Sequence, residues 1–167
     1  MSSYRKKSKC YCYHCGLNPC ECHSVCPPQQ NIIPAYGSLY RQTPQTITVN
    51  GTKVDFEIPG PAANITLDTV NDEIIINEPG VYEITISLTI ILLPGIGGSA
   101  SLFVNDVPIN FANALLANSD GQPRPIAATV SKTVQLDLVA TDVLDVRVDE
   151  LLPIEIQSVA FTVNKIN

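Results

Sequence analysis

GVYEITISLTI, residues 80–90, is the stretch of sequence that decides the fold. Its apolar side chains fall on every second position, and mostly polar side chains fill the positions between them. This alternation places the apolar side chains on one face of an extended chain, so the stretch predicts a β-strand with one buried face. The alternation then breaks into IILL at residues 90–93, which predicts that the strand ends between two apolar layers.

Three β-hairpins are predicted around this strand. TITVNGTKVDF, residues 46–56, carries Asn50-Gly51, the dipeptide that type I′ turns prefer. SASLFVNDVPI, residues 99–109, predicts a second hairpin with its turn at Asn105-Asp106. VQLDLVATDVLDVRV, residues 134–148, predicts a third hairpin, whose facing apolar side chains are Val134, Leu136 and Leu138 on one strand and Leu144, Val146 and Val148 on the other.

The remaining pattern also favours strands. In PIEIQSVAFTVNKI, residues 153–166, the apolar positions change from even to odd numbers, which predicts a β-bulge near Gln157-Ser158. FANALLAN, residues 111–118, is the best candidate for a helix. Eight to ten strands with so little helical periodicity predict an all-β protein, a β-sandwich or jelly roll.

The chain divides into three parts by composition. Residues 1–26 form a basic, Cys-rich tail, residues 27–35 a Pro-rich connector, and residues 36–167 the strand-rich domain. The tail has a net charge of +3 and the rest of the chain has a net charge of −9, which together give the total of −6. An acidic domain with few basic residues excludes a nucleic-acid partner. Charged residues make up only 16%, which favours a subunit that buries surface against copies of itself.

Neither a membrane partner nor Sec export is expected. The run IILL ends at Pro94 and is much shorter than the roughly 20 residues of a membrane helix. The basic residues between Arg5 and Lys9 are followed by CYCYHCG, where a signal peptide has an apolar segment.

All six cysteines lie in the tail, in the stretch CYCYHCGLNPCECHSVC. They are Cys10, Cys12, Cys15, Cys20, Cys22 and Cys26. Disulfide cross-linking to other Cys-rich proteins is the favoured interpretation, because so short a segment has no core around which internal disulfides would form. Zinc coordination is the alternative, although only four residues separate the ligand pairs; its candidate ligands are Cys12, Cys15, Cys20, Cys22, His14 and His23. Local loops without either role also stay open.

The strand-rich domain offers few residues that could act in catalysis. Both histidines and all cysteines lie in the tail, so residues 36–167 hold no Ser-His or Cys-His pair. The carboxylates of Asp142, Asp145, Asp149 and Glu150 lie close together in sequence. We interpret them as a solvated strand face, with a calcium site as the alternative. The prediction is a protein that is not an enzyme and needs no cofactor.

Four segments resemble strands of a known family: EPGVYEITISLTI, GGSASLFVNDVPI, TVSKTVQLDLVATDVLDVRV and SVAFTVNKI. In this order they resemble the complement-type and tumour necrosis factor-like jelly roll, and more closely the C-terminal head of the Bacillus collagen-like exosporium glycoproteins. The resemblance covers about residues 36–167. It implies a ten-stranded jelly roll that forms a homotrimer at the endospore surface. No Gly-X-Y repeat precedes the domain, so the collagen-like stalk of those glycoproteins has no counterpart.

The connector supplies the last predicted site. Ile32, Ile33, Pro34 and Tyr36 are expected to dock onto an adjacent trimer, because head-to-tail docking of this kind generates an open filament. The predicted function is structural: a trimeric subunit or anchor of a spore appendage or exosporium fibre. Its expected partners are itself, Cys-rich coat or exosporium proteins, and a collagen-like tip protein. The alternative is a trimeric adhesin or other ligand-binding module.

Overall fold

A computed structural model describes residues 33–95, 97–117, 124–149 and 153–167. These residues form strands and turns, with no helix among them. The strands are β1 (Tyr36–Arg41), β2 (Gln45–Ile47), β3 (Thr52–Lys53), β4 (Ile58–Pro59), β5 (Ile65–Asp68), β6 (Glu73–Ile76), β7 (Gly80–Leu92), β8 (Gly97–Val104), β9 (Val107–Ala117), β10 (Ile126–Leu138), β11 (Val143–Asp149) and β12 (Ile154–Lys165).

Two antiparallel sheets contain all of these strands. Sheet A has the order β10-β7-β12-β1-β4, and β2 also pairs with β12. Sheet B has the order β5-β6-β11-β8-β9, and β3 also pairs with β11. The apolar sides of the two sheets pack against each other, which gives the two-layer sandwich that the alternating pattern predicts.

The long strand β7 supplies the centre of the core. Its even-numbered residues from Tyr82 to Leu92 are all buried, as predicted. Phe161 of β12 is also buried, and its ring stacks on Phe56 with the centroids 5.8 Å apart. The second face of IILL is not covered by another sheet of the same chain, because Ile91 is only half-buried and Leu93 is exposed, so its cover by another subunit stays a prediction. The alternation continues to the end of β7 since only one side of sheet A meets the core.

One of the three predicted hairpins is confirmed. β8 and β9 pair through a tight turn in which Asn105 and Asp106 both have positive φ, at 51° and 64°. The hairpin at Asn50-Gly51 is wrong: β2 pairs with β12 in sheet A, whereas β3 pairs with β11 in sheet B. This segment crosses from one sheet to the other, and the backbone N–H of Gly51 donates to the carbonyl of Val148.

The hairpin predicted within residues 134–148 is also wrong. β10 pairs with β7 in sheet A, and β11 pairs with β8 in sheet B, although the apolar side chains of both strands do reach the core. The helix predicted at residues 111–118 is wrong as well, because residues 111–117 belong to β9. The bulge in the last strand is confirmed by a register shift between Ile156 and Ser158.

The described chain begins at the end of the sandwich that also holds the C-terminus. The carbonyl of Pro34 accepts a 2.8 Å hydrogen bond from Asn64 Nδ2, and the carbonyl of Ala35 accepts one from the N–H of Lys165. The turn between β7 and β8 lies at the opposite end, since Tyr36 pairs with Asn164 and β7 begins beside Lys165. Within the described residues, no helix is long and apolar enough to cross a membrane.

Candidate functional site

The middle of the outer side of sheet A is covered by small, uncharged side chains, with Glu83 and Asp137 beyond them towards the start of β7. Nine residues form three rows across β10, β7 and β12, and we call them the small-residue face: Thr133, Thr85 and Thr162; Ser131, Ser87 and Ala160; Thr129, Thr89 and Ser158. Charged side chains spread over an exposed protein surface limit association between copies. A face without charge over three strands lacks that protection.

Hydroxyl pairs link two neighbouring strands of this face. Thr85 Oγ1 lies 2.8 Å from Thr133 Oγ1, and Thr89 Oγ1 lies 3.1 Å from Thr129 Oγ1. Beside them, a depression of about 220 Å³ is lined by residues that include Tyr40, Arg41 and Ala160. The face therefore offers hydroxyl groups and small side chains, with one recess, to a contacting surface.

Sheet B carries a network of charged side chains on its outer side. Asp145 is only 2% exposed, and Arg147 donates two hydrogen bonds of 2.7 Å to its carboxylate. Lys53 Nζ lies 3.4 Å from Asp145 and also contacts Glu73. Arg147 reaches Asp106 and covers the ring of Phe103, with its guanidinium carbon 4.3 Å from the ring centroid. These side chains neutralise Asp145 in place of water.

The network also shifts pKa values. The hydrogen bonds that Arg147 donates to Asp145 and Asp106 raise its pKa, although burial opposes this. Burial alone would lower the pKa of Lys53, but the hydrogen bond to Glu73 and the charge of Asp145 outweigh it and raise the pKa. The hydrogen bond from Arg147 lowers the pKa of Asp106. All three groups therefore stay charged at neutral pH.

The prediction of a solvated carboxylate face is therefore wrong at Asp145, because its carboxylate is buried between two cations. Asp142 accepts hydrogen bonds from Asn105 Nδ2 and from the N–H of Val139, so its role is to hold a turn. Glu150 and the side chain of Asp149 lie outside the described residues. Among the described residues, no group of three or more His, Cys, Asp or Glu side chains is placed to hold a metal ion.

A second uncharged surface lies on β9. Phe111 is 60% exposed and Leu115 is 78% exposed, while Ala112 and Ala114 between them are buried. No sequence pattern marked this surface, because FANALLAN was interpreted as a helix. If the segment is interpreted as a strand, its alternation places Phe111 and Leu115 on the same exposed face, and this pattern could have revealed the surface.

The connector residues lie at the entrance to β1. Ile33 is 48% exposed, Pro34 is exposed, and Tyr36 is 42% exposed even though it begins the strand. The domain's own core therefore leaves these three side chains largely uncovered. Ile32, His14, His23 and the six cysteines from Cys10 to Cys26 lie outside the described residues, so both tail predictions stay predictions.

The fold of the chain is similar to that of known structures. Its sequence matches no protein-family model and no curated protein. The globular domain of the zebrafish complement 1qA protein is similar at 16% identity with a TM-score of 0.58, over 80% of this chain and 98% of the zebrafish chain. The Eiger tumour necrosis factor of S. frugiperda is similar at 16% identity with a TM-score of 0.61, over 81% of this chain and 92% of that chain.

The described domain is thus an all-β jelly roll of the complement-type and tumour necrosis factor-like kind, as the strand pattern and the resemblance predicted. At 16% identity the similarity establishes the fold, so the function of this chain has to be argued from its own surfaces.

Proposed function

We propose that the protein is a structural subunit that assembles into homotrimers through the small-residue face of sheet A. The observation that carries this proposal is the absence of charge from nine adjacent side chains on three strands, in an otherwise acidic domain. Small side chains allow two surfaces to approach closely, and the hydroxyl groups of the face can hydrogen-bond across a contact. A subunit that met only water there would have no need of such a face.

The size of this face agrees with a contact between copies. Strands lie about 4.8 Å apart and same-face residues about 7 Å apart, so three rows on three strands cover roughly 300 Å². A standard interface buries about 800 Å² on each partner. The nine residues therefore form the centre of a contact, and neighbouring residues such as Tyr40 form its rim.

The N-terminal segment gives the subunit its place in a larger assembly. We propose that the tail cysteines cross-link trimers to other Cys-rich coat or exosporium proteins at the endospore surface. The connector, with the exposed Ile33, Pro34 and Tyr36, docks onto a neighbouring trimer or a collagen-like tip protein. The resemblance of residues 36–167 to exosporium glycoprotein heads supports the location, and the exposure of the connector side chains supports docking.

Light-scattering mass of the full-length protein tests the trimer. In strong reductant we expect trimers or multiples of three, and Thr89→Lys should reduce them to monomers because a charge at the centre of the contact loses several kcal/mol of hydration. Thr66→Lys is the matched control: Thr66 is also a strand threonine whose hydroxyl group is hydrogen-bonded to one side chain, that of Asn77, and it lies on sheet B. Monomers of the unchanged protein, or trimers of Thr89→Lys, would contradict the proposal.

A ligand-binding module is the second candidate, and the depression beside Tyr40 favours it. The residues that line it include a tyrosine, an arginine, two serines and a threonine, which suits a polyhydroxylated ligand. The serines and the threonine belong to the small-residue face, so a trimer contact on that face would cover the depression. Titration of a glycan panel against the reduced protein should show saturable binding that Tyr40→Ala abolishes only if the depression binds a ligand instead of a second copy.

A further inference from the structure

A ring of three copies needs two different contact surfaces on each copy. The rotation that closes such a ring brings one surface of a subunit against a different surface of the next, whereas a twofold axis joins identical surfaces. The small-residue face covers roughly 300 Å² of the about 800 Å² that a standard contact buries on each partner. The trimer therefore requires a second surface, which this face does not supply.

The strand β9 carries an exposed apolar side chain suited to such a surface. Its 11 residues include no charged side chain, and Leu115 is 78% exposed. Residues 109–112 bulge opposite Leu102, which protects this edge from strand addition, whereas Leu115 lies beyond the bulge and pairs with Ser99. Because β9 also lies beside β10, the Leu115 side chain is at the edge of the sandwich next to the small-residue face.

Leu115 and the depression on sheet A lie at similar levels of the sandwich. β7 ends at Leu92 and β8 begins at Gly97, so these two strand ends lie at the same end of the domain. Leu115 is opposite Ser99, the third residue of β8, and Thr89, which lines the depression, is the fourth residue from the end of β7. The strands of two packed sheets run in similar directions, and rotation about an axis along them leaves the level of each residue unchanged. Leu115 of one copy can therefore meet the depression of the next copy.

We propose that Leu115 of one copy fills the depression between Tyr40 and Thr89 of the next copy around a threefold axis. The inference rests on the proposed trimer and names the surface that its small-residue face meets. The depression has a volume of about 220 Å³. An engineered leucine-to-alanine cavity in a protein core measures about 150 Å³, so the depression is large enough for one leucine side chain. Burial of a leucine that is largely exposed in the single copy stabilises the contact.

The lining of the depression is compatible with an aliphatic side chain. Tyr40, Val159 and Ala160 supply apolar atoms beside the hydroxyl groups. The hydroxyl group of Thr89 is hydrogen-bonded to that of Thr129, 3.1 Å away, so it keeps a partner when a second copy displaces water. A polar group that keeps its partner avoids the cost of being buried unsatisfied. The recess is therefore completed by a residue of the next copy.

Light-scattering mass of the full-length protein in strong reductant tests this contact. Leu115→Lys should have one third of the mass of the unchanged trimer, because its charge would be buried beside Arg41 in a depression without a carboxylate. Val70→Lys is the matched control and should stay trimeric, because Val70 is 87% exposed in the turn after β5. Trimers of Leu115→Lys would overturn the inference, while monomers of Thr89→Lys in the same series would leave the trimer through the small-residue face intact. Monomers of the unchanged protein would contradict the trimer and this contact together.

Engineered disulfides test which residues meet. In full-length protein whose six tail cysteines are replaced by serine, Leu115→Cys combined with Ser158→Cys should give covalent trimers on oxidation, because Ser158 lines the depression and each copy would bond to the next. Leu115→Cys combined with Thr66→Cys is the control, and it should run as monomers on a denaturing gel without reductant because Thr66 lies on β5. Monomers of the first variant on that gel would refute the contact. Products larger than three subunits would refute the closed ring.

Discussion

Replacing Arg147 with methionine should destabilise the domain because it leaves a carboxylate buried. Arg147 donates two hydrogen bonds of 2.7 Å to Asp145, which is 2% exposed. Methionine keeps most of the aliphatic length over Phe103 but removes the donors and the charge. After the change, Lys53 at 3.4 Å is the one cation that remains close to Asp145.

The expected loss is about 3 kcal/mol. Breaking a buried ion pair by removing one partner costs about 3–5 kcal/mol, and the remaining contact with Lys53 places the estimate at the lower end. Arg41→Met is the matched control, since Arg41 also contacts two carboxylates, Asp55 and Glu57. Asp55 is exposed, so water replaces the guanidinium, and the cost should be at most about 1 kcal/mol.

Urea unfolding followed by far-ultraviolet circular dichroism measures these losses at one protein concentration. The double variant Arg147→Met with Asp145→Leu removes both charges, so it should lose about 1 kcal/mol, less than Arg147→Met alone. The reasoning is refuted if Arg147→Met loses no more free energy of unfolding than Arg41→Met. It is also refuted if the loss in the double variant equals the sum of the losses in Arg147→Met alone and Asp145→Leu alone, because the two residues would then act independently.

Three further changes probe other parts of the domain. Phe161→Ala should lower the free energy of unfolding by about 3–5 kcal/mol because the ring is buried against Phe56, and a urea titration showing less than about 1 kcal/mol would contradict this. Asp72→Asn should raise the melting temperature at pH 7, because burial raises the pKa of Asp72 and disfavours its charged form, while asparagine keeps the acceptor for the N–H of Phe56. A raised carboxyl pKa lowers stability as the pH rises through it, so the gain should vanish below about pH 3.9, where the group is protonated in both folded and unfolded states; an equal gain at pH 3 would exclude this cause. Gly60→Ala should cost about 1–3 kcal/mol in thermal or urea unfolding because its Cβ would overlap Ser38 Oγ, and adding Ser38→Ala should recover part of the loss.

The elements that the sequence predicted correctly depend on residues close together in the chain. The strand at residues 80–92 follows from alternation alone, and the turn at Asn105-Asp106 follows from two residues that accept positive φ. Asn50-Gly51 has an equally good turn signal, yet its flanking strands pair with β12 and β11 in different sheets. A local turn signal cannot show which distant strand each flank will join.

The surfaces were harder to predict than the core. Alternation correctly placed Asp145 on the side of β11 away from the core, but it could not show that Lys53, far away in sequence, would cover it. The small-residue face also depends on register, since its rows bring together residues from three distant strands. β9 was misinterpreted because Ala and Leu favour helices, and pairing with β8 overrides that preference.

The attachment of β1 also determines how the domain would bear mechanical load. The chain enters β1 just after Ile33, and all six residues of β1 pair with β12, a strand inside sheet A. A pull on the N-terminus along the strand loads these six backbone pairs together, in shear, rather than peeling them apart one at a time. A subunit held under tension through its connector would therefore resist the detachment of β1 with all six backbone pairs at once.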